Sequence, residues 1–138
     1  MVIIAPCAFV LLFFISAPYG RYLRAGWGPT VTSKTGWLLM EAPASLLMLS
    51  VLLFIPVNHV VYLFLVVWQV HYFHRAFFYP FTLTSLRRIP VAVVLMAIVF
   101  NSANAFLNGY HFVLHQDWYG QEWLTSWNFI AGLLLFAQ

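Results

Sequence analysis

A chain of 138 residues in which 64% are hydrophobic and 7% charged holds more apolar side chain than a soluble globule of that size can hide, since such domains run at roughly 25% charged. The net charge of +3 and the single cysteine, Cys7, exclude a basic nucleic-acid surface, an intrachain disulfide and a cysteine zinc cluster. The apolar residues come in continuous runs rather than alternating ten-residue segments, so the chain reads as an all-α polytopic membrane helix bundle and not a barrel.

The first apolar run, 2–17, has no positive stretch before it and no small-residue cleavage site ahead of Tyr19, which favours a retained span over a signal peptide. Residues 19–36 are polar and glycine-rich and carry Arg21, Arg24 and Lys34, the marks of a loop outside the hydrocarbon. The second span, 37–57, opens on Trp37, an interfacial type of residue, and contains Glu41. Glu41 is one of three acids in the chain; Asp117 and Glu122 sit in a later polar connection. A carboxylate at bilayer depth costs roughly 2.5–3.5 kcal/mol and persists where it has a partner and a task. Pro43, two residues on, removes a backbone donor beside it.

A short turn near Asn58 leads to the third span, 60–78, antiparallel to the second. It ends in His71-Tyr72-Phe73-His74-Arg75, and Tyr79-Pro80 reads as its stop. The hairpin brings Glu41, Tyr72 and Arg75 to the same end of the bundle. Residues 82–89 form a polar connection with Arg87 and Arg88, and the fourth span, 90–107, carries Asn101, Asn104 and Asn108 on one face. His111 and His115 extend that stripe if the helix survives Gly109. The last run, 125–138, offers only about eleven residues of helix, roughly 16 Å against a 30 Å core. The expectation is a single transmembrane domain over 1–138, with four complete helices and the start of a fifth, either a fragment of a longer protein or a truncated gene product. By the positive-inside rule loops 19–36 and 82–89 are cytoplasmic.

A buried glutamate near a tyrosine can polarise a substrate carbonyl, through the protonated acid or the phenol. The competing reading pairs Glu41 with Arg75 or His71 only to hold helices together. His71 and His74 offer two ligands at i, i+3, too few for a metal site, so no metal is expected. For the asparagine stripe, interhelical bonding and a polar cavity wall weigh equally.

Taken together, Tyr19-Gly20-Arg21, Trp37-x-x-Met40-Glu41-x-Pro43, His71-Tyr72-x-x-Arg75-x-x-x-Tyr79-Pro80 and Asn104-x-x-x-Asn108-Gly109-Tyr110 resemble the amino-terminal half of the steroid 5α-reductase family. The resemblance implies a seven-helix fold that reduces the double bond of a conjugated enone with NADPH. It implies Glu41 and Tyr72 as catalytic residues on the 3-oxo group, Trp37, Met40 and Phe100 around the substrate, and Tyr19, Arg75 and Arg87 near the cofactor. Met40 stands where the mammalian steroid enzymes have glutamine and plant sterol-pathway members have methionine, and Met96 stands where an arginine is expected. The rest of the cofactor site would follow Gln138, so the 138 residues alone are expected to be inactive. The implied partners are the bilayer and a hydrophobic enone, with no nucleic acid; the compartment would be the endoplasmic reticulum in a eukaryote or the inner membrane in a bacterium. The alternatives are a reductase of a lipid or acyl-thioester enone and a non-catalytic scaffold or transporter half. Substrate and oligomeric state have no signature in the sequence.

Overall fold

The structure is a computed structural model that describes residues 27–84 and 87–136. The expected first span, 2–17, and Tyr19 lie outside the described residues. Where two loops are expected, the chain builds a ribbon: β1 (Thr30–Thr32) pairs antiparallel with β2 (Arg88–Pro90), Val31 facing Ile89. β-branched Thr30, Val31 and Thr32 suit an extended pair, and Arg88 clamps it by donating from Nε to Thr30 Oγ1 at 2.6 Å and from Nη2 to the Thr30 carbonyl at 2.7 Å. Ser33 N to Arg87 O and Val91 N to Pro29 O, both 2.9 Å, extend the ladder. The ribbon fixes the two basic connections at one end of the bundle.

Helix α1 (Ser33–Phe54) starts four residues before Trp37 because Thr32 caps it, its Oγ1 accepting from Thr35 N at 3.2 Å. It runs unbroken through Pro43, whose missing N–H leaves the Leu39 carbonyl without its helical partner. Helix α2 (His59–Phe73) is capped by Asn58 and passes into a π turn at His74–Phe78 and a short α3 (Tyr79–Thr82). The stop expected at Tyr79-Pro80 is therefore a continuation. In the wider π turn the Tyr79 N–H reaches the His74 carbonyl, and Pro80, in the first turn of α3, needs no donor.

Helix α4 (Val91–Leu114) runs past Gly109. That glycine is a contact point rather than a break: a Cβ there would lie 3.3 Å from Val51 Cγ2 and 3.5 Å from Met48 Sδ. Two 3₁₀ turns, Gln116–Trp118 and Gln121–Thr125, lead into α5 (Trp127–Phe136).

Helices α1 and α4 both leave the ribbon, so they run in the same direction and make the most extensive contact in the fold, while α2 returns against α1. Small residues let α1 and α4 approach: Ala44 on one, Ala105 and Gly109 on the other, all buried. Met40, Ile89 and Val94 form a core near the ribbon, and Met48, Val61 and Leu65 a second one farther along. At the far end Asn58 Nδ2 donates to the Gln116 and Tyr119 carbonyls at 2.5 and 3.2 Å. The Tyr119 hydroxyl lies 2.9 Å from His111 Nε2, and burial pushes its pKa up, so it stays a neutral phenol.

The outward faces carry Leu46, Leu53, Leu95, Val99 and Phe106. A mostly helical chain with apolar side chains facing out suits hydrocarbon surroundings. Among the described residues α1 and α4 are long and apolar enough to cross a membrane.

Candidate functional site

The site grows from three helices at the ribbon end of the bundle. Glu41 sits two turns into α1 and is only 5% exposed. A carboxylate buried that deeply needs donors on its oxygens, and two residues supply them. Arg75, at the start of the π turn, places Nε 2.8 Å from Glu41 Oε1. Asn101, buried on α4, places Nδ2 3.4 Å from Glu41 Oε2 and 2.6 Å from the Met40 carbonyl. The guanidinium also lies over the Trp37 ring, 5.3 Å from its centroid, and Trp37 meets Tyr79 edge-on at 5.2 Å. Arg75 is thus held by a charge below and an aromatic face beside it.

Tyr72 lies one residue beyond His71, half-buried, stacked on Trp68 at 4.8 Å. Its phenol lies within reach of the charges of both Glu41 and Arg75, with the Asn104 side chain nearby. Glu41 and Tyr72 therefore share one neighbourhood, but the direct partners of Glu41 are Arg75 and Asn101. Asn108 completes the stripe, its Nδ2 donating to Asn104 Oδ1 at 3.1 Å and to the Asn104 carbonyl at 2.8 Å.

Two cavities meet at this cluster. The first, of about 170 Å³, has Glu41 and Arg75 at one end and Trp37, Met40, Ile89, Val93 and Ala97 as walls. The second, of about 270 Å³, is lined by Trp37, His71, His74, Arg75 and Tyr79 and includes no acid. Trp37 and Arg75 line both and so stand between an apolar chamber and a cationic one.

Of the residues expected around a substrate, Trp37 and Met40 line the apolar chamber. Phe100 does not: it is 65% exposed and projects from α4 about 100° round from Asn101. Arg75 is in the cluster, and Arg87 immediately precedes β2, its carbonyl accepting from Ser33 Oγ at 2.5 Å. His71 and His74 line the cationic chamber, and among the described residues no group of three or more His, Cys, Asp or Glu side chains could hold a metal ion. The sequence reading did not place Asn101 on Glu41 or Ile89 in a pocket wall. The asparagine spacing was the available sign for the first, and the second has none, because it depends on the ribbon.

Fold and site together define a membrane-type helical protein whose interior carries a braced carboxylate beside an apolar chamber. No family model matches the chain. Curated relatives do: it is 38% identical over 143 residues to steroid 5-alpha-reductase DET2 of Gossypium hirsutum, covering 98% of this chain and 55% of that protein. It is 32% identical over 146 residues to the Arabidopsis thaliana protein of the same name, covering 99% and 55%. It is 31% identical over 128 residues to 3-oxo-5-alpha-steroid 4-dehydrogenase 2 of Rattus norvegicus, covering 87% and 48%. The chain matches the amino-terminal half of these steroid 5-alpha-reductase and 3-oxo-5-alpha-steroid 4-dehydrogenase relatives, and it spans about half the length of the curated relatives it matches.

Proposed function

We propose that the full-length gene product reduces the carbon–carbon double bond of a conjugated enone, a 3-oxo-Δ4-steroid or related sterol, with NADPH as reductant. The observation that carries this reading is the Glu41–Arg75 pair set at the end of an apolar chamber, in a chain that aligns with steroid 5-alpha-reductases. A chamber of about 170 Å³ is smaller than the roughly 300–1,000 Å³ of whole-ligand pockets, which suits one ring, the one bearing the carbonyl.

The residues at hand fit part of a nicotinamide dinucleotide. His71, His74 and Arg75 line a chamber that includes no acid, as an anionic cofactor requires, but that chamber takes only a portion of so large a molecule. Arg75 and Arg87 would hold it, with Tyr19 as a third residue. When bound, the cofactor supplies a hydride to the β carbon of the enone. The chain's own part is to manage the charge that then moves onto the carbonyl oxygen. Tyr72 donates its phenolic hydrogen to that oxygen, and Glu41 holds the Arg75 guanidinium beside it, so the developing enolate meets preorganised positive charge. A proton added at the α carbon completes the reduction and restores the ketone. Trp37 and Met40 keep the ring dry and in place. The cationic chamber takes only part of the cofactor, so turnover is expected of the full-length product and not of these 138 residues alone.

In the membrane, the ribbon end faces the cytoplasm, where the basic connections belong and a soluble phosphorylated cofactor can arrive. The described helices then contribute to a seven-helix bundle, in the endoplasmic reticulum of a eukaryote or the inner membrane of a bacterium. The test is NADPH oxidation by membranes carrying the full-length protein with a 3-oxo-4-ene steroid. Tyr72→Phe and Glu41→Gln should each lower kcat by about 10²- to 10³-fold, the scale of losing one transition-state donor. Full activity in both variants would overturn the assignment.

A further inference from the structure

We infer that Asn101 and Asn104 are positioning residues that set the hydrogen-bond polarity of the Glu41 and Tyr72 pair, so that the carboxylate only accepts and the phenol keeps its proton for the substrate. Its kinetic arm rests on the enone-reductase reading above; its spectroscopic arm does not.

An asparagine amide has two ends, and which end faces which neighbour follows from what each neighbour can do. The Met40 carbonyl can only accept, so at 2.6 Å from it Asn101 must present its NH₂ end. The same nitrogen faces Glu41 Oε2 at 3.4 Å, and its second hydrogen is the one available there. With Arg75 Nε on Oε1 at 2.8 Å, both carboxylate oxygens face donors. Glu41 therefore has no need to carry a hydrogen, and it serves the site by anchoring Arg75.

One turn along the same face the logic repeats with a different outcome. Asn108 Nδ2 can only donate, so the atom of Asn104 that it meets at 3.1 Å must be the amide oxygen. The second bond from Asn108, to the Asn104 backbone carbonyl at 2.8 Å, locks that arrangement. Asn104 then has its NH₂ end unspent, with the Tyr72 hydroxyl in its neighbourhood to receive it. A phenol oxygen that accepts from an amide keeps its single hydrogen unspent, and that hydrogen can be given to a carbonyl. The stripe Asn101, Asn104, Asn108 thus addresses both members of the pair from one helix face.

The experiment uses the purified full-length gene product. The infrared carboxylate band isolated by subtracting the Glu41→Gln spectrum should shift in Asn101→Leu. The Raman tyrosine doublet isolated by subtracting Tyr72→Phe should move toward a donor-only phenol in Asn104→Leu, and partway in Asn108→Leu. In turnover, Asn104→Leu should lower kcat about tenfold with KM changed less than about threefold, and add less than about twofold in the Tyr72→Phe background, as coupled residues do. Asn101→Leu should behave likewise against Glu41→Gln. Unshifted bands, or losses of full size in the two backgrounds, would overturn the inference. Absent enone turnover in the unmutated protein would instead sink the functional reading and leave the spectra to judge the asparagines.

Discussion

Arg75 Nε lies 2.8 Å from Glu41 Oε1, joining the π turn after α2 to the third turn of α1, with the carboxylate side chain 7% exposed and the guanidinium side chain 45% exposed. The asymmetry decides what each single substitution does. Arg75→Gln strands a buried acid and should cost about 1–3 kcal/mol, while the loss of a half-exposed guanidinium's partner in Glu41→Gln costs less. In the double variant neither position leaves a buried charge. Thermal unfolding in detergent should therefore show Arg75→Gln with Glu41→Gln more stable than Arg75→Gln alone; a strictly additive loss would mean the pair carries no coupling.

The ribbon meets α1 at Gly36, where a Cβ would lie 2.9 Å from Ile89 Cδ1 but 3.5 Å from Ile89 Cβ. Only the tip of the isoleucine forbids a side chain. Gly36→Ala, which gains about 0.5–1 kcal/mol in an open helix, should be neutral or destabilising here. In an Ile89→Val background, which lacks Cδ1, the same change should become stabilising by that amount. Melting temperatures of the four proteins test this, and a gain from Gly36→Ala alone would show that the ribbon does not sit on α1 as described.

The hydrophobic runs and Glu41 are read from sequence because burial and solvation act on composition over windows of many residues. The ribbon is not, since Thr30-Val31-Thr32 and Arg88-Ile89-Pro90 are three residues each, too short for any period, and their glycine and proline neighbours look like loop. The helix continues past Tyr79-Pro80 because the π turn places Pro80 in the first turn of α3, where proline needs no donor and its fixed φ suits the helix. For the site, the sequence placed Glu41, Tyr72 and Arg75 at one depth, yet which of them touch depends on helix rotation, which spacing alone does not give. The asparagine stripe is visible in the sequence; the target of Asn101 lies 60 residues away on α1 and needs the fold.

At Gly109 the distance of 3.3 Å from a built Cβ to Val51 Cγ2 leaves room for a methyl only if the valine yields by a few tenths of an ångström. Gly109→Ala should be nearly neutral, the helix-propensity gain offsetting the crowding. Gly109→Leu should push α4 off Met48 and cost about 1–3 kcal/mol, and Met48→Ala should recover part of that loss by opening space across the contact. Melting measurements on the single and double variants check it. A Gly109→Leu protein as stable as the parent would mean that α1 and α4 do not approach closely there.

Asn58 distinguishes a cap from a clamp. Its Oδ1 accepts from Val61 N at 2.9 Å, the ordinary work of an N-cap. Its Nδ2 donates to the Gln116 and Tyr119 carbonyls, and its own N–H donates to Gln116 Oε1 at 2.9 Å, so it also ties the α1–α2 turn to the connection after α4. Aspartate caps helices as well as asparagine does, so if capping were all, Asn58→Asp would be silent. Here it sets a carboxylate oxygen against two carbonyls that lose their donor, and the expected cost is about 1–3 kcal/mol. Asn58→Ala loses the cap as well as the clamp but introduces no repulsion, and should fall within about 1 kcal/mol of Asn58→Asp. The decisive comparison is Asn58→Asp against the parent in thermal unfolding: equal stability would reduce Asn58 to a cap and detach the connection after α4 from the α1–α2 turn.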